Sequence, residues 1–224
     1  MTDFGYELAS AGLKINAIKL NTEKPFLWAS GYYMPIYNDN RMFLVFPEYR
    51  KLIINGFLKL IESNNIKFDI IAGTSTAGIP HGALLAEKLN LPFIYIRDKA
   101  KGHGLKNQIE GIDAAKDLNG MSVLVIEDLI STGGSSARAV QAVRDANGIV
   151  GYCLSIFSYG LEKANNAFDE LDTTCNTDSI LTYDKLLTTA KEVGYLSDLQ
   201  IKLLEDWRTD PFGWGENNGF PKSQ

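Results

Sequence analysis

The sequence predicts an α/β fold: a mainly parallel, doubly wound sheet with a small N-terminal hood. Short β-branched apolar runs occur at 69–73, 93–96, 123–126 and 150–157. Segments with helical spacing separate these runs, and continuous runs of this kind are typical of parallel strands covered on both faces. The chain has 224 residues, 45% of them apolar, which is enough to bury one sizeable core.

The elements before these strands follow from the spacing of apolar and turn residues. Apolar residues at helical intervals predict a helix over about 3–16, and aromatic-rich runs within 18–46 predict short strands. Pro47 suits the first turn of a further helix, whose apolar face extends over 52–61. The first two of these segments form the predicted hood.

The C-terminal part of the chain has weaker patterns. Beyond Gly160 we expect weak helices, the last ending near Arg208, and then a tail with Gly, Asn and Pro that frays. The predicted organisation is therefore a hood at 1–46, a core at 47–209 and a tail at 210–224.

Charge and cysteine usage exclude several classes of partner and site. The net charge of −5 provides no basic surface of the kind that nucleic acids or anionic membranes attract, so we expect small molecules or protein as partners. Cys153 and Cys175 lack CxxC spacing, which argues against a disulfide framework or a thiolate metal site. The first thirty residues contain no continuous apolar stretch, so the expected location is the cytoplasm.

Two adjacent acids and a small-residue turn follow the run at 123–126. Glu127 and Asp128 come first, and residues 131–135 then lead into a helix expected to begin near Ser136. Glycine amides, hydroxyls and a helix N-terminus together can cradle a phosphate. Carboxylates repel phosphate, so hydrogen bonding to sugar hydroxyls, directly or near Mg²⁺, explains them best. An ordinary capped turn is the alternative.

These residues resemble the binding motif for 5-phosphoribosyl-1-pyrophosphate (PRPP) of type I phosphoribosyltransferases, and the resemblance implies their fold. It implies that Glu127 and Asp128 hold the ribose hydroxyls. The 5′-phosphate would bind Ser131, Thr132, Gly133, Gly134 and Ser135. A second small, hydroxylated loop, similar to the family's pyrophosphate-binding loop, consists of Thr74, Ser75, Thr76 and Ala77. For this loop too, a cap and turn is the alternative.

A polar, lysine-containing stretch at 98–113 has almost nothing to bury and is expected to be an exposed loop. With Arg97 at its root and Lys99, Lys101 and His103 along it, it resembles the catalytic loop of orotate phosphoribosyltransferases. The resemblance implies a homodimer in which the 98–111 loop reaches the neighbouring active site. Cations and a His donor brought over the departing pyrophosphate would stabilise its charge and exclude water. A solvated surface is the alternative.

The segments at 26–31 and 35–41 look like the hood that receives orotate in the Bacillus-like branch of that family. Some members carry a lysine at the positions of Ala29, Ala77 and Asp98 and an arginine near Tyr159, and this chain has none of the four. The residues expected to hold orotate are Tyr37, Asn38, Arg41 and Thr132, with Arg41 facing the orotate carboxylate. A surface salt bridge is the alternative for Arg41.

The sequence thus predicts an enzyme that joins orotate to ribose C1′ of PRPP, with Mg²⁺ as cofactor, giving orotidine 5′-monophosphate and pyrophosphate. The metal's ligands are left open. Two alternatives share the PRPP motif: a purine-type phosphoribosyltransferase, and a PRPP-sensing regulator that has lost catalysis. The regulator would usually carry a basic nucleic-acid surface, which the net charge of −5 disfavours.

Overall fold

A computed structural model gives the structure of residues 2–98, 108–113 and 116–223. They form two compact units, one of Arg50–Ile180 and the other of the residues up to Tyr49 together with those from Leu181 onwards. No helix of the described residues is both long and apolar enough to cross a bilayer. The elements, in chain order, are α1 Phe4–Lys14, β1 Ile18–Leu20, β2 Phe26–Leu27, β3 Tyr33–Met34, β4 Ile36–Asn38, a 3₁₀ helix Asn40–Val45, α2 Pro47–Ser63, β5 Ile70–Thr74, α3 Gly78–Leu89, β6 Phe93–Ile96, β7 Ile109–Glu110, β8 Ser122–Ile130, α4 Gly134–Asp145, β9 Ile149–Ser158, α5 Glu162–Asp169, β10 Asn176–Thr182, α6 Tyr183–Glu192, α7 Asp198–Thr209 and α8 Trp214–Asn217.

The Arg50–Ile180 unit is built on a six-stranded sheet with the order β10-β9-β8-β5-β6-β7. Strand β5 pairs in parallel with both β6 and β8, and β8 pairs in parallel with β9. The edge strand β7 is antiparallel to β6. The predicted α/β class and mainly parallel sheet are confirmed.

The central strands form because most of their side chains are buried. All five residues of β5 are buried, as are Val123 to Glu127 in β8. Helix α3 packs on β5 and β8, and α4 packs on β8 and β9. The carboxyl ends of neighbouring parallel strands lie at one edge of a sheet, which is where ligands of such folds bind.

The other unit is made of the N-terminal and C-terminal segments of the chain. Helix α1 begins after Asp3, whose side chain caps Tyr6 N–H, and it packs on α6. Trp207 of α7 is fully buried, and its indole N–H lies 3.0 Å from the sulfur of Met34. Because α6 and α7 belong to this unit, its bounds differ from the predicted division at 46 and 209.

Part of the tail at 210–223 is packed, in contrast to the fraying that the sequence predicts: Trp214 and Gly215 are buried, whereas residues 216–219 and 221–223 are exposed. Trp214 of α8 is 3% exposed and stacks on Phe220, with ring centroids 6.3 Å apart. The backbone N–H of Ser223 donates to the carbonyl of Gly31 at 2.9 Å. The ring of Phe220 also packs against that of Tyr33 in β3, with centroids 6.2 Å apart, so aromatic contacts join the tail to the hood strands.

Three strands differ from the sequence prediction. Strand β7 lies within the 98–113 stretch that was expected to be an exposed loop, and its Ile109 is 3% exposed. Strand β10 lies where only weak helices were expected. It was missed because Ile180 and Leu181 are its only apolar residues and the polar residues at its start are exposed. Strand β8 continues four residues beyond the predicted end at Ile126. Because of this extension, the two acids Glu127 and Asp128 lie within the strand.

Candidate functional site

The acid pair lies inside strand β8, so the prediction that Glu127 and Asp128 follow the strand is wrong. Residues Glu127 and Ile130 pair in parallel with Ser155 and Ser158 of β9. Successive side chains of a strand point to opposite faces, so the two neighbouring carboxylates have different surroundings. Glu127 is 7% exposed, whereas Asp128 is half-buried.

Glu127 connects the two candidate phosphate turns. Its Oε1 accepts hydrogen bonds from Thr74 Oγ1 at 2.7 Å and from the backbone N–H of Asp128 at 2.9 Å. Its Oε2 accepts from Ser136 Oγ at 3.0 Å. Burial, followed by the neighbouring charge of Asp128, raises the pKa of Glu127 from 4.5 to about 7. The carboxyl group therefore joins the end of β5 to the start of α4.

The first turn, residues 74–77, passes close to β8. Thr74 is the last residue of β5, Ser75 and Ala77 are half-buried, and Thr76 is exposed. A Cβ atom at Gly78, the first residue of α3, would lie 2.5 Å from the carbonyl oxygen of Ile126 and also against Thr74 Oγ1. Only glycine fits there, so this position fixes how closely the turn approaches the strand.

The second turn, residues 131–135, leads into α4 at Gly134, two residues earlier than predicted. Gly133 precedes the helix with a φ of 76°, and its Cβ position would lie 2.9 Å from Ala164 Cα. Both features require glycine. The cap residue Gly133 has no side chain to accept from the backbone N–H groups at this helix start, an arrangement that suits an anion.

A cavity of about 240 Å³ lies between these turns, within the Arg50–Ile180 unit. Six predicted site residues line it: Thr74, Ser75, Arg97, Glu127, Asp128 and Ser135. The residues of the two predicted turns that do not line it are Thr76, Ala77, Ser131, Thr132, Gly133 and Gly134, and the predicted hood residues Tyr37, Asn38 and Arg41 do not line it either. The lining residues that were not predicted are Ile96, Asp98, Gln108, Leu129, Arg138 and Ala139. The structure thus brings the acids and parts of both turns to one cavity.

The root of the predicted catalytic loop adjoins this cavity. Arg97 Nη1 lies 3.2 Å from Glu110 Oε1, and the backbone N–H of Arg97 donates to the carbonyl of Gln108 at 2.8 Å. The backbone N–H of Asp98 donates to Ser75 Oγ at 2.9 Å, which links the loop root to the first turn. Three predicted catalytic residues lie outside the described residues: Lys99, Lys101 and His103.

The predicted orotate-binding residues of the hood belong to the other unit. Tyr37 is exposed and has Lys19 Nζ 5.8 Å from its ring centroid. Both amide atoms of Asn38 are buried without a hydrogen-bond partner in the described part of the chain. Arg41 is paired with Asp39 through Nε at 2.7 Å and Nη2 at 2.9 Å, and this pairing lowers the pKa of Asp39.

His81 of α3 is a buried titratable group outside the cavity lining. It is 0% exposed, and neither ring nitrogen has a hydrogen-bond partner among the residues whose structure is given. Burial lowers its pKa from 6.5 to about 4, so the imidazole is neutral at physiological pH.

Arg138 is the most informative lining residue that the sequence analysis missed. It stands on α4 four residues after Gly134, and helical side chains lean towards the N-terminus of their helix. That spacing, together with a turn that binds anions, is a signal that could have identified it.

Comparison with known proteins agrees with this geometry. Residues 47–180 match the phosphoribosyl transferase domain family. An orotate phosphoribosyltransferase of Streptococcus agalactiae (serotype III, strain NEM316) is 47% identical over 212 residues, covering 95% of this chain and 99% of the relative. This chain belongs to the orotate phosphoribosyltransferase family. The orotate phosphoribosyltransferase of Coxiella burnetii (strain RSA 493) is 43% identical, covering 93% of this chain and 97% of the relative.

The fold of the family is also the fold of this member. The crystal structure of orotate phosphoribosyltransferase from Aeropyrum pernix matches with a TM-score of 0.69 and 26% identity, covering 85% of this chain and 99% of that one. Tyr159 is the residue near which the resemblance led us to look for an arginine. This side chain is 1% exposed and packs edge to face on Phe157, with ring centroids 5.2 Å apart.

Proposed function

We propose that this orotate phosphoribosyltransferase family member transfers the phosphoribosyl group of PRPP to N1 of orotate, giving orotidine 5′-monophosphate and pyrophosphate in pyrimidine biosynthesis. Similarity to orotate phosphoribosyltransferases along nearly the whole chain is the observation that carries the proposal. The cavity between the two turns supports PRPP as the donor, because PRPP has a phosphate group at each end of a ribose ring.

In this proposal each part of PRPP meets a different part of the cavity wall. The 131–135 turn binds the 5′-phosphate through the uncapped N–H groups at the start of α4, and the 74–77 turn binds the pyrophosphate. Asp128, which is half-buried, accepts from the ribose hydroxyls. Glu127 already accepts three hydrogen bonds, from the hydroxyls of Thr74 and Ser136 and from the backbone N–H of Asp128. A carboxylate has about four lone-pair sites, so it retains capacity for a ribose hydroxyl.

Magnesium is the proposed cofactor. In sites that bind nucleotide phosphates, Mg²⁺ is held by one or two carboxylates together with the substrate's own phosphates. The oxygen atoms of Asp98 and Asp128 at the cavity wall fit that requirement. The described residues contain no group of three or more His, Cys, Asp or Glu side chains placed to hold a metal. When bound, the ion would neutralise charge on the pyrophosphate.

Departure of pyrophosphate is the step that the loop at 98–111 is proposed to assist. Arg97 is held at the root by Glu110, and Lys99, Lys101 and His103 are the proposed catalytic residues beyond it. Donors over the leaving group stabilise its developing charge, and closure excludes water. We propose that the enzyme is a cytoplasmic homodimer in which this loop serves the neighbouring active site.

The orotate carboxylate is assigned to Arg41, with Tyr37, Asn38 and Thr132 as the other proposed orotate contacts. The Arg41 side chain is 61% exposed, so an anionic ligand can reach its guanidinium group. Arg41→Ala should therefore raise KM for orotate more than KM for PRPP. Equal KM values for orotate in wild type and variant would contradict this assignment.

A base panel tests the proposed reaction. Purified protein is incubated with PRPP, Mg²⁺ and, separately, orotate, adenine, hypoxanthine, guanine or xanthine, and base consumption is followed by ultraviolet absorbance. Only orotate should be consumed. Consumption of a purine would favour the purine-type enzyme. Turnover of none of the bases, with tight nucleic-acid binding, would favour the PRPP-sensing regulator.

A further inference from the structure

Arg138 reaches back over the second turn from the first turns of α4. Its guanidinium Nη1 lies 3.5 Å from the position that a Cβ atom on Gly134 would occupy. Gly134 has no side chain, so nothing at this position separates the guanidinium group from the backbone of the turn. Arg138 also lines the 240 Å³ cavity. The side chain is therefore placed at the cavity and over the residues that lead into the helix.

The charged residues of the cavity wall make Arg138 distinctive. The lining residues include Asp98, Glu127 and Asp128 as acids, and Arg97 and Arg138 as bases. Arg97 is ion-paired with Glu110. Arg138 makes no ion pair or hydrogen bond with any other residue in the ranges that the structure describes. It is thus an exposed cation at the cavity that is not paired with any of the described acidic side chains.

The position is also unfavourable for a cation in the absence of a ligand. The N-terminus of a helix carries a partial positive charge, so an Arg that leans towards it is repelled by the helix dipole. An anion bound between the guanidinium group and the helix start offsets this repulsion, because the anion is attracted to both. Guanidinium also matches phosphate geometry, since its N–H groups can donate to two oxygens at once.

We propose that Arg138 binds the 5′-phosphate of the phosphoribosyl group in PRPP and in the nucleotide product. The assignment rests on the proposed function, because it takes the 131–135 turn as the 5′-phosphate site. Arg138 follows that turn on the same helix, whereas the turn assigned to pyrophosphate precedes α3. We therefore expect Arg138 to contribute mainly to affinity for the 5′-phosphate end of PRPP.

Binding of two probes, ribose 5-phosphate and inorganic pyrophosphate, separates the two ends. Isothermal titration calorimetry compares wild type, Arg138→Ala, Arg138→Lys and the charge-matched control Lys88→Ala. Lys88 is exposed in the last turn of α3 and does not line the cavity. Arg138→Ala should weaken ribose 5-phosphate binding about tenfold or more, as expected for loss of a charge-assisted hydrogen bond. Pyrophosphate affinity should change less than twofold.

The other measurements separate this role from a structural one. Arg138→Lys should lose less affinity for ribose 5-phosphate than Arg138→Ala, and Lys88→Ala should match wild type with both probes. In turnover with orotate, Arg138→Ala should raise KM for PRPP with little change in kcat, the pattern for loss of uniform binding. Unchanged ribose 5-phosphate affinity in both Arg138 variants, or equal weakening of both probes, would overturn the assignment.

The test also distinguishes failure of this assignment from failure of the proposed function. If wild-type protein consumes no orotate but Arg138→Ala selectively loses affinity for ribose 5-phosphate, the assignment of orotate as the acceptor is wrong and the role of Arg138 in binding phosphate stands. If wild type consumes orotate and Arg138→Ala binds ribose 5-phosphate as wild type does, the reaction stands and the Arg138 role is refuted.

Discussion

The hydrogen bond from Thr74 to Glu127 should contribute measurably to stability, and Thr74→Val tests it. The Thr74 hydroxyl donates at 2.7 Å to a carboxyl group that is 7% exposed. A hydrogen bond to a charged group contributes about 1.5–3 kcal/mol to stability. Valine has nearly the same shape as threonine, so the substitution removes the donor and leaves little space unfilled. The Asp128 N–H remains as the other donor to the same oxygen.

The expected change is a loss of about 1.5–3 kcal/mol in the free energy of unfolding. For a chain of this length, that corresponds to a fall of about 3–12 °C in Tm. The Thr74 hydrogen bond lowers the pKa of Glu127, so its removal should raise that pKa further above its value of about 7. The loss should therefore be larger at pH 8.5, where the carboxylate is charged, than at pH 5.

Thermal and urea unfolding of ligand-free protein at both pH values measures this effect. Thr189→Val is the matched control, because Thr189 is 0% exposed and its hydroxyl has no hydrogen-bond partner within the described residues. Removing that unsatisfied hydroxyl should leave stability unchanged or raise it. If the two variants unfold alike at pH 8.5, the account of Glu127 as the link between the turns is wrong.

Four further predictions follow from the same structure. The pKa of Glu127 is raised to about 7, so the folded protein holds a proton that the unfolded chain releases near pH 4.5. As the pH rises from 4.5 to 7, the free energy of unfolding of wild type should therefore fall by about 3 kcal/mol relative to that of Glu127→Gln, as measured by urea unfolding. The pKa of His81 is lowered to about 4, so its effect on the pH dependence of stability is opposite to that of Glu127. In the same assay, wild type should gain stability relative to His81→Leu as the pH rises from about 4 to 6.5. Gly78→Ala should cost about 1–3 kcal/mol in thermal unfolding. Gly151→Ala should be tolerated, because nothing lies within 4 Å of its Cβ position. Equal Tm values for the Gly78 and Gly151 variants would contradict the close approach of the first turn to β8 at Gly78. Lys101→Ala should lower kcat far more than it weakens PRPP binding, and unchanged steady-state turnover would count against its catalytic role.

The sequence predicted well what short-range patterns control. The apolar runs gave the central strands within a few residues, and Pro47 marks the start of α2. The glycines of the second turn were recognised because a turn into a helix needs a backbone conformation that other residues rarely adopt, as the φ of 76° at Gly133 shows. These features depend on neighbours in the chain.

Other features depend on contacts between residues far apart in the chain. The apolar run ends at Ile126, so β8 was predicted to stop before Glu127. Its burial is compensated by Thr74, 53 residues earlier, and by Ser136 in the following helix. The packed tail likewise depends on the Ser223 to Gly31 hydrogen bond, which no local pattern indicates. Sequence spacing alone did not identify these pairings.

The most direct test of the central claim is the stoichiometry of the proposed reaction. Purified protein is mixed with equal concentrations of orotate and PRPP in the presence of Mg²⁺, and orotate loss and pyrophosphate release are measured together. The account predicts that the two are equal throughout and that neither occurs without PRPP. Release of pyrophosphate without loss of orotate would contradict the assignment of orotate as the acceptor. Consumption of orotate or PRPP without release of pyrophosphate would contradict it as well.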